Sequence, residues 1–88
     1  MAKESIQAAV AELQALLECY RYLSTIQNQS VASCGQRAIY STMYEILHHD
    51  DIYGILLQSI QFPFEDYIHH VESDTDEFIS VLRAYLEN

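Results

Sequence analysis

An all-α fold, a compact bundle of four to five short amphipathic helices, is predicted by three features of this 88-residue sequence. Apolar residues recur at spacings of three and four along most of the chain, the period of a helix that buries one face. Only two glycines and one proline interrupt it, so extended chain breakers are scarce. Half the residues are hydrophobic and 11% are aromatic, a composition that excludes a disordered or fibrous chain. At about 100–150 residues per domain, residues 1–88 read as a single helical domain.

The first helix is carried by Ile6, Ala9, Val10, Leu13, Leu16, Leu17, Tyr20 and Leu23, which fill an arc of about 140° at 100° per residue. Its other side holds a weakly apolar stripe, Ala8, Ala11, Ala15 and Tyr22, between wetter positions such as Gln7, Gln14, Glu18 and Arg21. Small residues allow a close helix approach, so this stripe is a candidate self-association surface for a homodimer. The competing reading is that alanine is there as the best helix former.

Gln27–Ser30 ends that periodicity, and Ser33-x-x-Gln36 has the spacing of a reciprocal cap for a second helix. That helix carries Ile39, Tyr40, Met43, Ile46 and Leu47 on one face as far as His48 or His49. Asp50 and Asp51 suit the N-cap of a third helix from Ile52 to Gln61, apolar almost all round and therefore expected at the centre of the bundle. Phe62-Pro63 breaks it. Pro63, Glu65 and Asp66 favour the first turn of a fourth helix whose buried face is Phe64, Tyr67, Ile68 and Val71. A strand over Ser59–Phe64 is the alternative, weakened by Pro63. Asp74-x-x-Glu77 has capping spacing for a fifth helix with Phe78, Val81, Leu82, Tyr85 and Leu86 inward.

The formal charge is −9, from 13 acids against 4 bases. Such a balance argues against binding nucleic acid or an anionic membrane directly, since both need Lys and Arg against phosphates. Residues 1–44 are neutral by count, whereas the second half sets ten acids against Arg83. With five antiparallel helices, Asp50, Asp51, Glu72, Asp74, Asp76 and Glu77 would share one pole, and Glu65 and Asp66 the other. Capping needs about one acid per helix start; the excess reads as an acidic surface for a basic partner protein, with Tyr44, off the buried face, as an exposed aromatic anchor.

The histidines come as the pairs His48-His49 and His69-His70, with Glu45 three residues before His48 and Asp66 three before His69. That spacing distantly resembles the ligand pattern of di-iron bundles, but the third helix supplies no inward carboxylate, so a metal-binding bundle stays an alternative without an assigned site. The favoured reading is that imidazoles at these helix ends interact with the negative end of the dipole and with nearby carboxylates. Cys19 and Cys34 read as reduced, small buried residues rather than a disulfide framework. Met1–Ser5 has no secretory pattern and no apolar run reaches membrane-spanning length, so a cytoplasmic location is expected.

No nucleophile stands beside a positioned base and no glycine-rich phosphate loop is present, which favours a protein that is not an enzyme and needs no cofactor. The expected role is an inhibitor, an immunity or anti-defence factor, or a regulator. Its acidic C-terminal half would engage the basic surface of another protein, a nucleic-acid-handling one being physically suited.

Overall fold

A computed structural model describes residues 3–60 and 64–87. Among them are four α-helices, α1 (Lys3–Leu23), α2 (Gln29–Leu47), α3 (Asp50–Ser59) and α4 (Val71–Glu87), with a 3-10 turn at Tyr67–His69 before α4. The all-α expectation therefore holds, and the helix count falls at the lower end of the range. The expected helix 3 terminus at Gln61, the Phe62-Pro63 break and the central part of the alternative strand lie outside the described residues.

Five residues of α1 are buried, Ile6, Ala9, Val10, Leu13 and Leu17, as its periodicity predicts. They sit between α2 and α4, so α1 is the hub. The expectation that the third helix occupies the centre is corrected: α3 buries only Ile52, Ile55 and Leu56, and leaves Leu57 48% exposed. Ten residues, about 15 Å of helix, are too short to be enclosed on every side. The molecule measures 43 × 24 × 17 Å, and its thinnest dimension is under two helix diameters, about 10 Å each. Each helix therefore keeps a wet side.

Two helix starts differ from their capping signals. α2 begins a turn before Ser33, because the Asn28 side chain accepts from the Val31 amide at 3.1 Å. Gln36 is thereby freed from capping, and its amide nitrogen donates across to the Tyr20 carbonyl and to Ser24 Oγ, at 3.1 and 2.8 Å. α4 likewise starts at Val71 rather than after Asp74, with the Asp74 amide donating to the His70 carbonyl. Burial decides this start. Val71 and Thr75 are enclosed, and Thr75 Oγ1 shares a 2.7 Å hydrogen bond with the Tyr67 hydroxyl.

The expected fourth helix is reduced to the 3-10 turn, which Asp66 enters with φ 61°, a left-handed conformation. Tyr67 keeps its buried place while Ile68 is 61% exposed. In a 3-10 turn each residue advances about 120°, so the step from Tyr67 swings Ile68 away from the core. Asp50 and Asp51 fall in the first turn of α3, behind an N-cap at His49 that makes no side-chain capping bond. There they complement the positive end of the helix dipole.

Gly54 lies inside α3 and is exposed, and a Cβ there would meet no atom within 4 Å. Gly54→Ala is expected to raise stability by about 0.5–1 kcal/mol by reducing unfolded-chain freedom. The readout is the urea midpoint; an unchanged or lower value would contradict an unobstructed helical site.

Candidate interaction surface

Arg21, near the end of α1, holds two acids of α4: its Nε donates to Glu72 at 3.1 Å and its Nη2 to Asp76 at 2.7 Å. Lys3, at the other end of α1, donates to the Leu86 carbonyl at 3.4 Å. These contacts make α1 and α4 antiparallel. Ser5, Ala8 and Glu12 of α1 stand opposite Glu45 and Ile46 of α2 and His49 and Ile52 around the start of α3, so the α2–α3 junction is at the Lys3 end.

The shared acidic pole is consequently corrected. Asp50 and Asp51 lie at the Lys3 end, and Glu72, Asp74, Asp76 and Glu77 at the Arg21 end; α1 rises about 20 Å between Ala8 and Arg21. Losing one full helix between α3 and α4 reverses the parity of the chain and sends the last junction to the opposite end. The same change brings Asp66 to the α4 start, where its charge is felt by Asp74, instead of to a separate pole with Glu65. Glu65 and Asp66 are exposed in the turn before Tyr67.

Asp74 is held above the usual carboxyl range, first by partial burial and then by the negative charges of Glu77 and Asp66, with His70 opposing the shift. A raised folded-state value makes its contribution most favourable below the unfolded pKa of about 3.9 and loses that contribution as pH rises through the folded one. Asp74→Asn is therefore expected to raise the melting temperature at neutral pH. The gain should vanish in acid below the unfolded value, and a pH series of thermal melts checks both signs.

Tyr44 is exposed as expected, but Tyr22 and Tyr85 are exposed more. Tyr44 also belongs to an aromatic group whose members were read separately in sequence. The His48 ring lies 4.1 Å from those of Tyr44 and Phe64 and 5.2 Å from that of Tyr53. Phe64 continues the contacts to Tyr67 and Phe78. His48 Nδ1 lies 2.9 Å from the Tyr44 carbonyl, within donating distance. This imidazole fills the seam between α2, α3 and the turn after them.

The histidine pairs are not brought together. His48 and His49 are at the α2–α3 junction and His69 and His70 at the start of α4. Among the described residues no three His, Cys, Asp or Glu side chains converge in metal-binding geometry. Both cysteines are free and exposed, correcting the expectation of burial: Cys19 lies beside the Ala15–Tyr22 stripe of α1, and Cys34 on the outer side of α2. No described helix is long and apolar enough to cross a membrane.

The alanine stripe is placed as the spacing indicates, with Ala8, Ala11, Ala15 and Tyr22 all exposed. What the sequence reading missed is the groove beside it, about 420 Å³, between the N-terminal half of α1 and the α2–α3 junction. Glu12 and Glu45 both line it. Their meeting depends on the register of α1 against α2, which no local spacing encodes.

No protein-family model, curated protein or solved structure matches this chain. The class that fold and surface define is a small acidic α-helical protein with open grooves.

Proposed function

We propose that this protein is a non-enzymatic binding protein, an inhibitor or regulator, that engages a basic surface of another protein. The supporting observation is the uneven use of its few bases. Arg21 is committed to Glu72 and Asp76, which removes these two from the freely offered acids. Asp50, Asp51, Glu65, Asp66, Asp74 and Glu77 form no ion pair with Lys or Arg among the described residues. An uncompensated field of this sign speeds encounter with a cationic partner and is relieved by it. A nucleic-acid-handling protein, whose phosphate-binding groove is basic, fits that chemistry.

A second reading, a homodimer through Ala8, Ala11, Ala15 and Tyr22, is favoured by their common exposure along α1 and opposed by the charge of −9 on each copy. Light scattering combined with a pulldown separates the two. A monomer whose captured protein is basic and is released by about 0.5 M salt, where exposed charges are heavily screened, supports the first. A dimer that persists at that salt with no retained protein supports the second.

A further inference from the structure

We infer that the groove between α1 and the α2–α3 junction is the docking site for a basic amphipathic helix of a partner protein. This rests on the proposed binding role and assigns it a place. Ala8 and Ala9 on α1 and Ile46 and Ile52 opposite form its apolar lining, and Glu12 and Glu45 supply a carboxylate from each helix. Its volume is about 420 Å³. The small side chains on the α1 wall leave room for bulky apolar anchors such as Leu, Ile or Met, presented at helical spacing.

Charge complementarity selects the occupant. Among the described residues no Lys or Arg lines the groove, whereas acids come from both walls, and Asp51 stands beside His49 at its end, 4.0 Å from the ring nitrogen. A helix with an apolar stripe flanked by Lys or Arg would bury its anchors and bring a cation to each wall. A second copy of this chain fits poorly, because a two-fold interface sets the same acidic patch against itself. The aromatic Tyr44, next to Glu45 on α2, borders a neighbouring hollow with Tyr40 and Ser41 and extends the contact surface outward from the groove.

The test uses an 18-residue helical peptide of about 27 Å with Leu at helical spacing and Lys on both flanks, and its counterpart with Glu in place of Lys. Amide chemical-shift changes should centre on Ser5, Ala8, Glu12, Glu45 and Ile46, with the Lys peptide binding at least about tenfold more tightly than the Glu peptide. Glu12→Lys with Glu45→Lys should weaken binding about tenfold or more, while Glu18→Lys with Glu87→Lys, at exposed acids outside the groove, should change it less than about threefold. Ala8→Arg, at an exposed site, should block the groove; unchanged helical circular dichroism shows that this variant is folded. Shifts centred on the α4 start, with the Glu12 and Glu45 pair dispensable, would overturn the groove while leaving the basic-partner reading standing. Equal binding of both peptides, or none by either up to about 1 mM, would overturn both.

Discussion

Leu13→Ala should lower the free energy of unfolding by about 2–5 kcal/mol, the cost of removing a buried side chain and leaving a cavity that its surroundings only partly refill. Leu13 is fully buried at the middle of α1, the helix that packs against both α2 and α4. A chain of 88 residues has a total stability of about 4–13 kcal/mol by the usual per-residue range. The substitution therefore consumes a large part of it, and urea titration should show a much lower midpoint. Leu57→Ala is the internal comparison. Leu57 belongs to the most apolar helix in the sequence yet is 48% exposed, so its truncation should cost less than about 1 kcal/mol. Equal losses at the two sites would contradict α1 as the hub.

Tyr67 should govern the alkaline limit of stability. Burial pushes its phenol up to about 12, and the positions of Tyr40, Asp74 and Tyr20 act in the same direction against the hydrogen bond to Thr75. In the unfolded chain it ionises near pH 10. The folded state thus retains a proton that the unfolded state has lost, so stability is complete below about pH 10 and declines as pH rises toward the folded value. The steepest slope is about 1.4 kcal/mol per pH unit, a total on the order of 2–3 kcal/mol.

Tyr20 and Tyr40 shift the same way, both chiefly through burial, and contribute a smaller share. Tyr67→Phe should cost about 0.5–1.5 kcal/mol at neutral pH through the lost bond to Thr75. In return it should remove most of the alkaline slope. Urea melts of both proteins in a series from about pH 9 to about pH 12 measure this, and parallel slopes would refute it.

Much of the architecture was legible in the sequence because single-helix periodicity is a local property. The buried face of α1 follows from the spacing of Ile6 through Leu17, and Met43 and Leu47 anchor α2 as their positions indicate. Capping signals were less informative. Ser33-x-x-Gln36 and Asp74-x-x-Glu77 are sound caps in isolation, but Asn28 captured the earlier start of α2, and the burial of Val71 and Thr75 pulled the α4 start back to Val71. The segment around Tyr67 forms only a short turn, in which the phenol is buried and bonded to Thr75.

The same distinction holds for the candidate surface. Composition placed the acid excess in the second half of the chain, and the α1 spacing put Ala8, Ala11, Ala15 and Tyr22 on one exposed side. Which acids become neighbours was a different matter, because it depends on how many helices reverse the chain.

From sequence alone came the helical class, the inward face of α1 and the sign of the charge, since each follows from residue type and from spacing within a turn or two. Tertiary structure decided that Asp50 and Asp74 lie at opposite ends, that Arg21 takes up Glu72 and Asp76, and that Glu12 and Glu45 line one groove. Those arrangements arise from the parity and register of packed helices, properties set by contacts between residues far apart in the chain rather than by any local pattern.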